Sequence, residues 1–366
     1  MPKKNTIYEL LLLSAEHILN LKKKTDSFPA GHNGPYKDTE TPVRNTSHWL
    51  FLLAALYLKT GDNKWKIESN KVIEYLGSSQ ARPYHKTFHC REKKGKDRCN
   101  GLIGQAWAIE ALVHAAKAFD RHDCYNLAEK VFLIHPWDLT SGIWQRVEVE
   151  GTVLTYDGTF NHQLWFAAAA SQLTKTPMAQ KRARIFLDKI TERVQLYPNG
   201  IIFHSSSISL LANYLKCGFK VFLRELRNRL KNQTMRNRLY LKSVGYHGFN
   251  LYAFAMLKKK YPEARIWKTD NFKMLLNAHR NDMFIRDLKN SEFGFRYNLS
   301  GIEIAYGVET FFQDKKEATL WLNRQFKETF LDEYRPLSRD VPDPNTAMAR
   351  IYEAARLSEE YEVTVG

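Results

Sequence analysis

Cysteine is scarce in this chain: Cys90, Cys99, Cys124 and Cys217 are the only four in 366 residues. So few thiols do not make a disulfide framework, and they fit a reducing compartment. Also missing is any run approaching the ~20 apolar residues of a membrane span. The apolar run Leu10 to Leu13 is too short for an export signal and soon meets Glu16 and His17. A cytoplasmic protein without a membrane span is therefore expected. No stretch rich in Pro, Gly or Ser divides the chain, so we expect one architecture over residues 1–366 rather than the two domains that length alone would favour. Helix-turn-helix, zinc-finger and RNP signatures are lacking too, which leaves no nucleic-acid reader. The stretch YHKTFHCREKKGKDRCNG brings His85, His89, Cys90 and Cys99 together. Their spacing matches no common zinc pattern and reads as a surface loop, so neither a metal nor another cofactor is expected.

Positive charge is plentiful. Lys and Arg number 55 against 39 Asp and Glu, a formal net charge of +16. Its local clusters, at 22–24, 91–98 and 224–238, are dispersed and read as solvated surface. The summed field favours an anionic partner, here an acidic oligosaccharide or polysaccharide.

Apolar periodicity predicts helices in pairs. Segments with small and aromatic residues on every face begin near residues 47, 101, 160, 245, 299 and 344. Amphipathic segments alternate with them: IYELLLLSAEHILNL, NKWKIESNKVIEYLG, CYNLAEKVFLIHP, MAQKRARIFLDKITERV, WKTDNFKMLLNAHR and KKEATLWLNRQFKETF. The alternation predicts an all-α (α/α)6 barrel, with buried inner helices sheathed by outer helices that keep one wet face. The long third-to-fourth interval implies an insertion at about 195–240, with a short strand-like run and one or two further helices.

In such a ring the inner helices run parallel, and the loops leading into them gather at one mouth. Those loops are rich in Asn, Asp, His, Tyr, Trp and Gly, whereas the far ends of the same helices are plain. Such a polar, aromatic funnel suits a carbohydrate. N-capping alone accounts for many of these polar residues, among them Asn100, Asp157, Thr159, Ser300 and Asn345. It does not account for Gln105 and Trp107, or for Asn161, His162 and Trp165, which lie inside helices. Further candidates for substrate contact are His48, Trp49, Tyr246 and His247. Arg44 and Arg296 are the cations expected to pair with a substrate carboxylate, which a guanidinium can bind bidentately.

The stretch TYDGTFNHQLWFAAAAS, with Asp157 four residues before Asn161, resembles the catalytic-aspartate motif of the unsaturated glucuronyl hydrolases in the six-hairpin glycosidase superfamily. LYLKTGDNKWKIESNKVIEYL is similar to the TGD hairpin that recurs in that superfamily. The resemblance implies the same toroid and a hydrolase in which Asp157, its pKa raised by partial burial, acts as acid/base. Two features depart from the pattern. The expected second aspartate, in an Asp-His-Asp stretch, is replaced by GHNGPYKDTE, and GQAW precedes Asp157 instead of following it. Asp38, Glu40 and Glu303 are the candidates for a second carboxylate, needed if the substrate is a saturated glycoside. The order of GLIGQAWAIEALVHAAKAF and the next inner helix is similar to the glucuronyl C5-epimerases. GPYKDTETPVRNTSHW is similar to proteins that accompany surface-glycan biosynthesis genes. Hydrolysis of a uronic-acid-containing glycan is the first expectation, epimerisation the alternative, and non-catalytic glycan binding a third.

Overall fold

The computed structural model of the protein describes residues 3–21, 26–191, 193–204, 233–358 and 360–365, together with Phe219 and Leu223. Six inner segments form a closed ring: Val43–Thr60, Gly101–Phe119, Phe160–Gln172, His247–Lys260, Ser300–Phe312 and Pro344–Arg356. Each packs on the next, and the sixth returns to the first, so the fold is the expected (α/α)6 barrel. Most side chains of the second and third inner helices are buried, which is why their apolar residues show no single preferred face.

The outer helices Ile7–Leu21 and Asn63–Gly77 coincide with the amphipathic segments read from sequence. The TGD turn between the first inner and second outer helix has a plain physical origin. Gly61 takes the left-handed conformation (φ 69°) that ends one helix, and Asp62 caps the next by accepting from Lys64 N at 2.9 Å.

Three local expectations are corrected. Residues 137–156, left without an element by the helical pattern, form an antiparallel meander of Trp137–Asp138, Ile143–Val147 and Val153–Tyr156. The fifth outer helix is interrupted: Thr269 caps Asp270–Asn277, Asn281 caps a further helix Asp282–Asn290, and short 3₁₀ turns precede the first (Arg265–Lys268) and separate the two (Ala278–Arg280). The sixth inner segment is α-helical only over Pro344–Ala349 and tightens to 3₁₀ over Arg350–Arg356. In a 3₁₀ turn residues i and i+3 eclipse, and this sets Arg350 Nε 2.8 Å from Glu353 Oε1. The strand-like part of the insertion is present as an isolated bridge between Leu196 and Ile202. Of its helical part, the helix Gln233–Gly245 is described, while residues 205–232 lie almost wholly outside the described residues, as do the charge run at 22–24 and most of the run at 224–238. No helix among the described residues is long and apolar enough to cross a membrane.

Candidate active site

A cavity of about 300 Å³ opens at the mouth formed by the N-termini of the inner helices. Of the residues singled out from sequence, it brings together Asp38, Arg44, Trp107, Asp157, Asn161, His162 and Tyr246.

The meander carries Asp157 to the cavity. Its buried carboxylate accepts from Leu102 N at 3.0 Å, Thr159 N at 3.1 Å and His162 Nδ1 at 2.8 Å. Leu102 belongs to the second inner helix and His162 to the third, so Asp157 caps the start of the helix before it in the ring rather than the one it precedes in the chain. This crossing requires glycine at 101. Gly101 has φ +60°, and a Cβ there would lie 2.4 Å from Asp157 Oδ2 and 2.9 Å from His162 Nδ1. Burial pushes the Asp157 carboxyl up, but His162, Arg146 and the Leu102 N–H together outweigh it and hold the group well below the usual carboxylate range. The raised pKa expected of Asp157 is therefore reversed. A carboxylate only accepts, so His162 Nδ1 carries the proton in this contact, and Nε2 is left as the ring nitrogen available to the cavity.

A charged lattice surrounds this pair. Asp97 accepts from Arg91 Nη2 at 2.9 Å, Arg146 Nη1 at 2.7 Å and Gly101 N at 2.8 Å, and these partners depress its pKa. Asp38 accepts from Lys96 Nζ at 2.7 Å. Arg91 and Lys96 thus turn inward, which corrects the reading of 91–98 as solvated surface. Arg44 stacks 4.3 Å over Trp107 and donates to Glu40 and Asn33, and its Nε has no partner. In all, six cations, Arg44, Arg91, Lys96, Arg146, Lys242 and Arg350, line the cavity with three carboxylates, Asp38, Asp97 and Asp157, an excess of positive charge. Tyr36 and Tyr246, both lining the cavity, share a 2.8 Å hydroxyl contact, and Tyr297 donates to Asn33 at 2.7 Å. Burial raises the phenol pKa of all three, which keeps them neutral. Asn161 Oδ1 is buried with no partner, an acceptor held in reserve at the cavity wall.

Other candidates lie elsewhere. Gln105 is fully buried, and its amide splints a loop through Phe88 N at 2.8 Å, Phe88 O at 3.0 Å and Cys99 O at 2.8 Å. Trp49 packs in the core against Phe28, and Trp165 is sandwiched by Phe249 and Tyr252. His48 lies beneath the cavity floor between Trp107 and Tyr352, where burial and the nearby Arg44 and Arg350 keep its ring neutral. His247 turns to the outer layer and meets Leu275 O at 3.1 Å. Arg296 is exposed and away from the cavity. Glu303 is buried beside the cavity and binds Arg350 Nη2 at 2.5 Å, as does Glu353 at 2.8 Å, while Glu40 is tied to Arg44. His48, His247 and Glu303 therefore do not line the pocket with Asp157 and Trp107 as expected. Physical reasons are consistent: each meets a protein partner or an apolar wall before it reaches the cavity.

Sequence reasoning missed Asp97, Arg91, Arg146, Tyr297 and Arg350. Tyr297 and Arg350 do sit in the stretches GFRYNLSG and PNTAMARIY that lead into inner helices, a signal available from the sequence. Among the described residues, no group of three or more His, Cys, Asp or Glu is placed to hold a metal ion. Cys90 and Cys99 are buried, and burial pushes both thiols up, so neither is a ready thiolate.

No family model matches the sequence. Archaeal glycosylation protein Q of Haloferax volcanii is 39% identical over 367 residues, covering 98% of this chain and 99% of that one. Among solved structures, the fold is similar to cellobiose 2-epimerase from Bacillus thermoamylovorans, at TM-score 0.64 and 11% identity, covering 95% and 97% of the two chains. D-mannose isomerase gives TM-score 0.59 at 14% identity, covering 94% and 96%. An α-1,6-mannanase from Salegentibacter sp. gives TM-score 0.55 at 11% identity, covering 95% and 98%. At these identities the likeness is one of fold, the (α/α)6 barrel expected from the sequence.

Proposed function

Because this chain belongs to the family of archaeal glycosylation protein Q, we propose that it is a sugar-modifying enzyme of glycosylation, an epimerase or isomerase acting on an acidic, uronic-acid-type sugar. The observation that carries this reading is the Asp157–His162 pair, 2.8 Å apart, at the wall of a cation-rich cavity. Asp157 fixes the tautomer and orientation of His162, and His162 Nε2 takes a proton from the carbon next to the substrate's carbonyl or carboxylate. Negative charge then builds on that group, where Arg44, Arg146 and Arg350 stabilise it. In this reading the Tyr36–Tyr246 hydroxyl pair, neutral and lining the same cavity, returns a proton to the other face of that carbon. The unpaired Asn161 oxygen accepts from a substrate hydroxyl. The epimerase and isomerase among the similar folds support this class of chemistry.

Hydrolysis, the first expectation from sequence, retains support from the mannanase likeness and from the carboxylates at the cavity. It asks for a carboxyl group that keeps its proton near neutral pH, and the depressed pKa values of Asp97 and Asp157 argue against those two in that role.

The test is incubation of uronic acids and their oligosaccharides with the enzyme in D₂O, followed by mass spectrometry and NMR. One deuterium gained at a single carbon, with no change in chain length, is expected. Uptake of water with release of a shorter sugar would favour hydrolysis instead.

A further inference from the structure

A larger cavity, about 730 Å³, lies at the opposite mouth, where the inner helices end. Sequence reading described those ends as plain, but folding brings their lysines together. Lys117 comes from the end of the second inner helix, Lys260 from the end of the fourth, and Lys175 from the turn after the third. Among the described residues none of these three joins an ion pair, and Asp120 is the sole carboxylate lining the cavity. Lys259 and Arg356 also face it; their ion-pair partners are Glu309 at 3.7 Å and Glu110 at 2.6 Å.

Lysines at helix C-termini are favoured by the helix dipole, by ~0.3 to 1 kcal/mol each. That effect does not explain Lys175, which follows its helix. Nor does it explain His114 at the cavity wall. The His114 ring stacks on Phe51 with centroids 4.0 Å apart, and its buried Nε2 has no partner. Burial and the neighbouring Arg356 and Lys117 lower its pKa to about 3, so it meets a ligand as a neutral ring. The same burial, with Arg356 close by, lowers that of Lys259.

The two mouths also differ in kind. The active-site cavity is dominated by arginine, whose planar fork can bind a carboxylate or a phosphate bidentately. The unpaired cations of the far cavity are lysines, point charges suited to phosphate. Its volume is that of a site for an organic ligand rather than a bare ion. We propose that the far mouth is a second binding site, for a phosphate ester, whose anionic groups meet Lys117, Lys175 and Lys260.

The shared chemistry has two sources, a soluble sugar phosphate or a phospholipid headgroup, and the experiment separates them. Full-length protein is titrated calorimetrically with glucose 1-phosphate and with inorganic pyrophosphate, and is co-sedimented with phosphatidylglycerol vesicles. Binding in either arm that weakens as salt rises is expected. The triple variant K117Q/K175Q/K260Q should weaken it at least tenfold. A charge-matched control, K66Q/K130Q/K289Q on the outer helices, should leave it within twofold, and so should H162Q in the other cavity. No binding in any arm, or equal loss in the triple variant and its control, would overturn the site. Because H162Q disables only the catalytic mouth, failure of the proposed reaction and failure of this site give different results.

Discussion

Asp157 Oδ2 holds two inner helices at once: it accepts from Leu102 N of the second at 3.0 Å and from His162 Nδ1 of the third at 2.8 Å. One oxygen thus performs a capping task and a tautomer-setting task, and the two can be separated experimentally. H162Q removes the proton-transfer group while leaving the cap, and turnover should fall by ~10² to 10⁴-fold with little loss of stability. D157N presents an N–H where an acceptor is required, so both turnover and melting temperature should drop. Steady-state kinetics and thermal melts of the two variants check this, and equal melting losses in both would contradict it.

Gly101→Ala should act on the same pair from a distance of one atom. The added Cβ meets Asp157 Oδ2, and the left-handed backbone disfavours any side chain. Turnover is expected to fall with substrate affinity less affected, as read from kcat against KM. A variant with native kinetics would mean that the Asp157–His162 geometry does not matter to catalysis.

Gln105→Leu tests the reassignment of that residue from substrate to scaffold. It strands the buried Phe88 N–H, at ~1 to 3 kcal/mol for a lost buried partner. Chemical denaturation should show that loss, and KM corrected for folded enzyme should stay near the native value. A large rise in KM without loss of stability would restore Gln105 to the binding site.

Arg350 serves two buried carboxylates, and burial raises Glu353 to about 7 and Glu303 well above the ordinary range. In the unfolded chain Glu353 titrates near 4.5. Between that pH and about 7 the folded state therefore holds a proton that the unfolded state has released, so this contribution to stability shrinks as pH rises through the window and levels off above it. The buried histidines His114 and His247, both lowered to about 3, act in the opposite sense below pH ~6.5. The clean observable is the difference in melting temperature between native protein and E353Q. That difference should move in favour of E353Q as pH rises from 6 to 8. A constant difference would show that Glu353 does not titrate there.

The ring was legible because helices buried on all sides and helices with one wet face carry different residue patterns, as Gly101–Phe119 and Asn63–Gly77 illustrate. The mouth was legible for the same reason, and Asp157, Trp107 and His162 do meet there. The direction of each side chain within a buried helix was not. His48 and His247 sit on helices with no polar face to orient them, so sequence cannot tell the cavity side from the packed side. Arg91 and Asp97 were hidden differently: a loop of charged residues reads as solvated until the fold shows that its charges pair with one another, and with Asp38, at the cavity wall. The Asp157 pKa depends on Arg146, which arrives on the meander from another strand, and no local pattern announces that.

The strand pair that joins Lys3–Thr6 to Glu362–Val365 has a mechanical consequence. Lys3 faces Val365 and Thr6 faces Glu362, so the outermost pair lies at the end where both strands leave the barrel. Tension applied to those two strands would peel them apart one pair at a time, the compliant direction of an antiparallel ribbon, rather than shear all of their bonds together. The first outer helix, which leans on the sixth inner segment, would follow. Under load the toroid should open along this seam while its other hairpins remain closed.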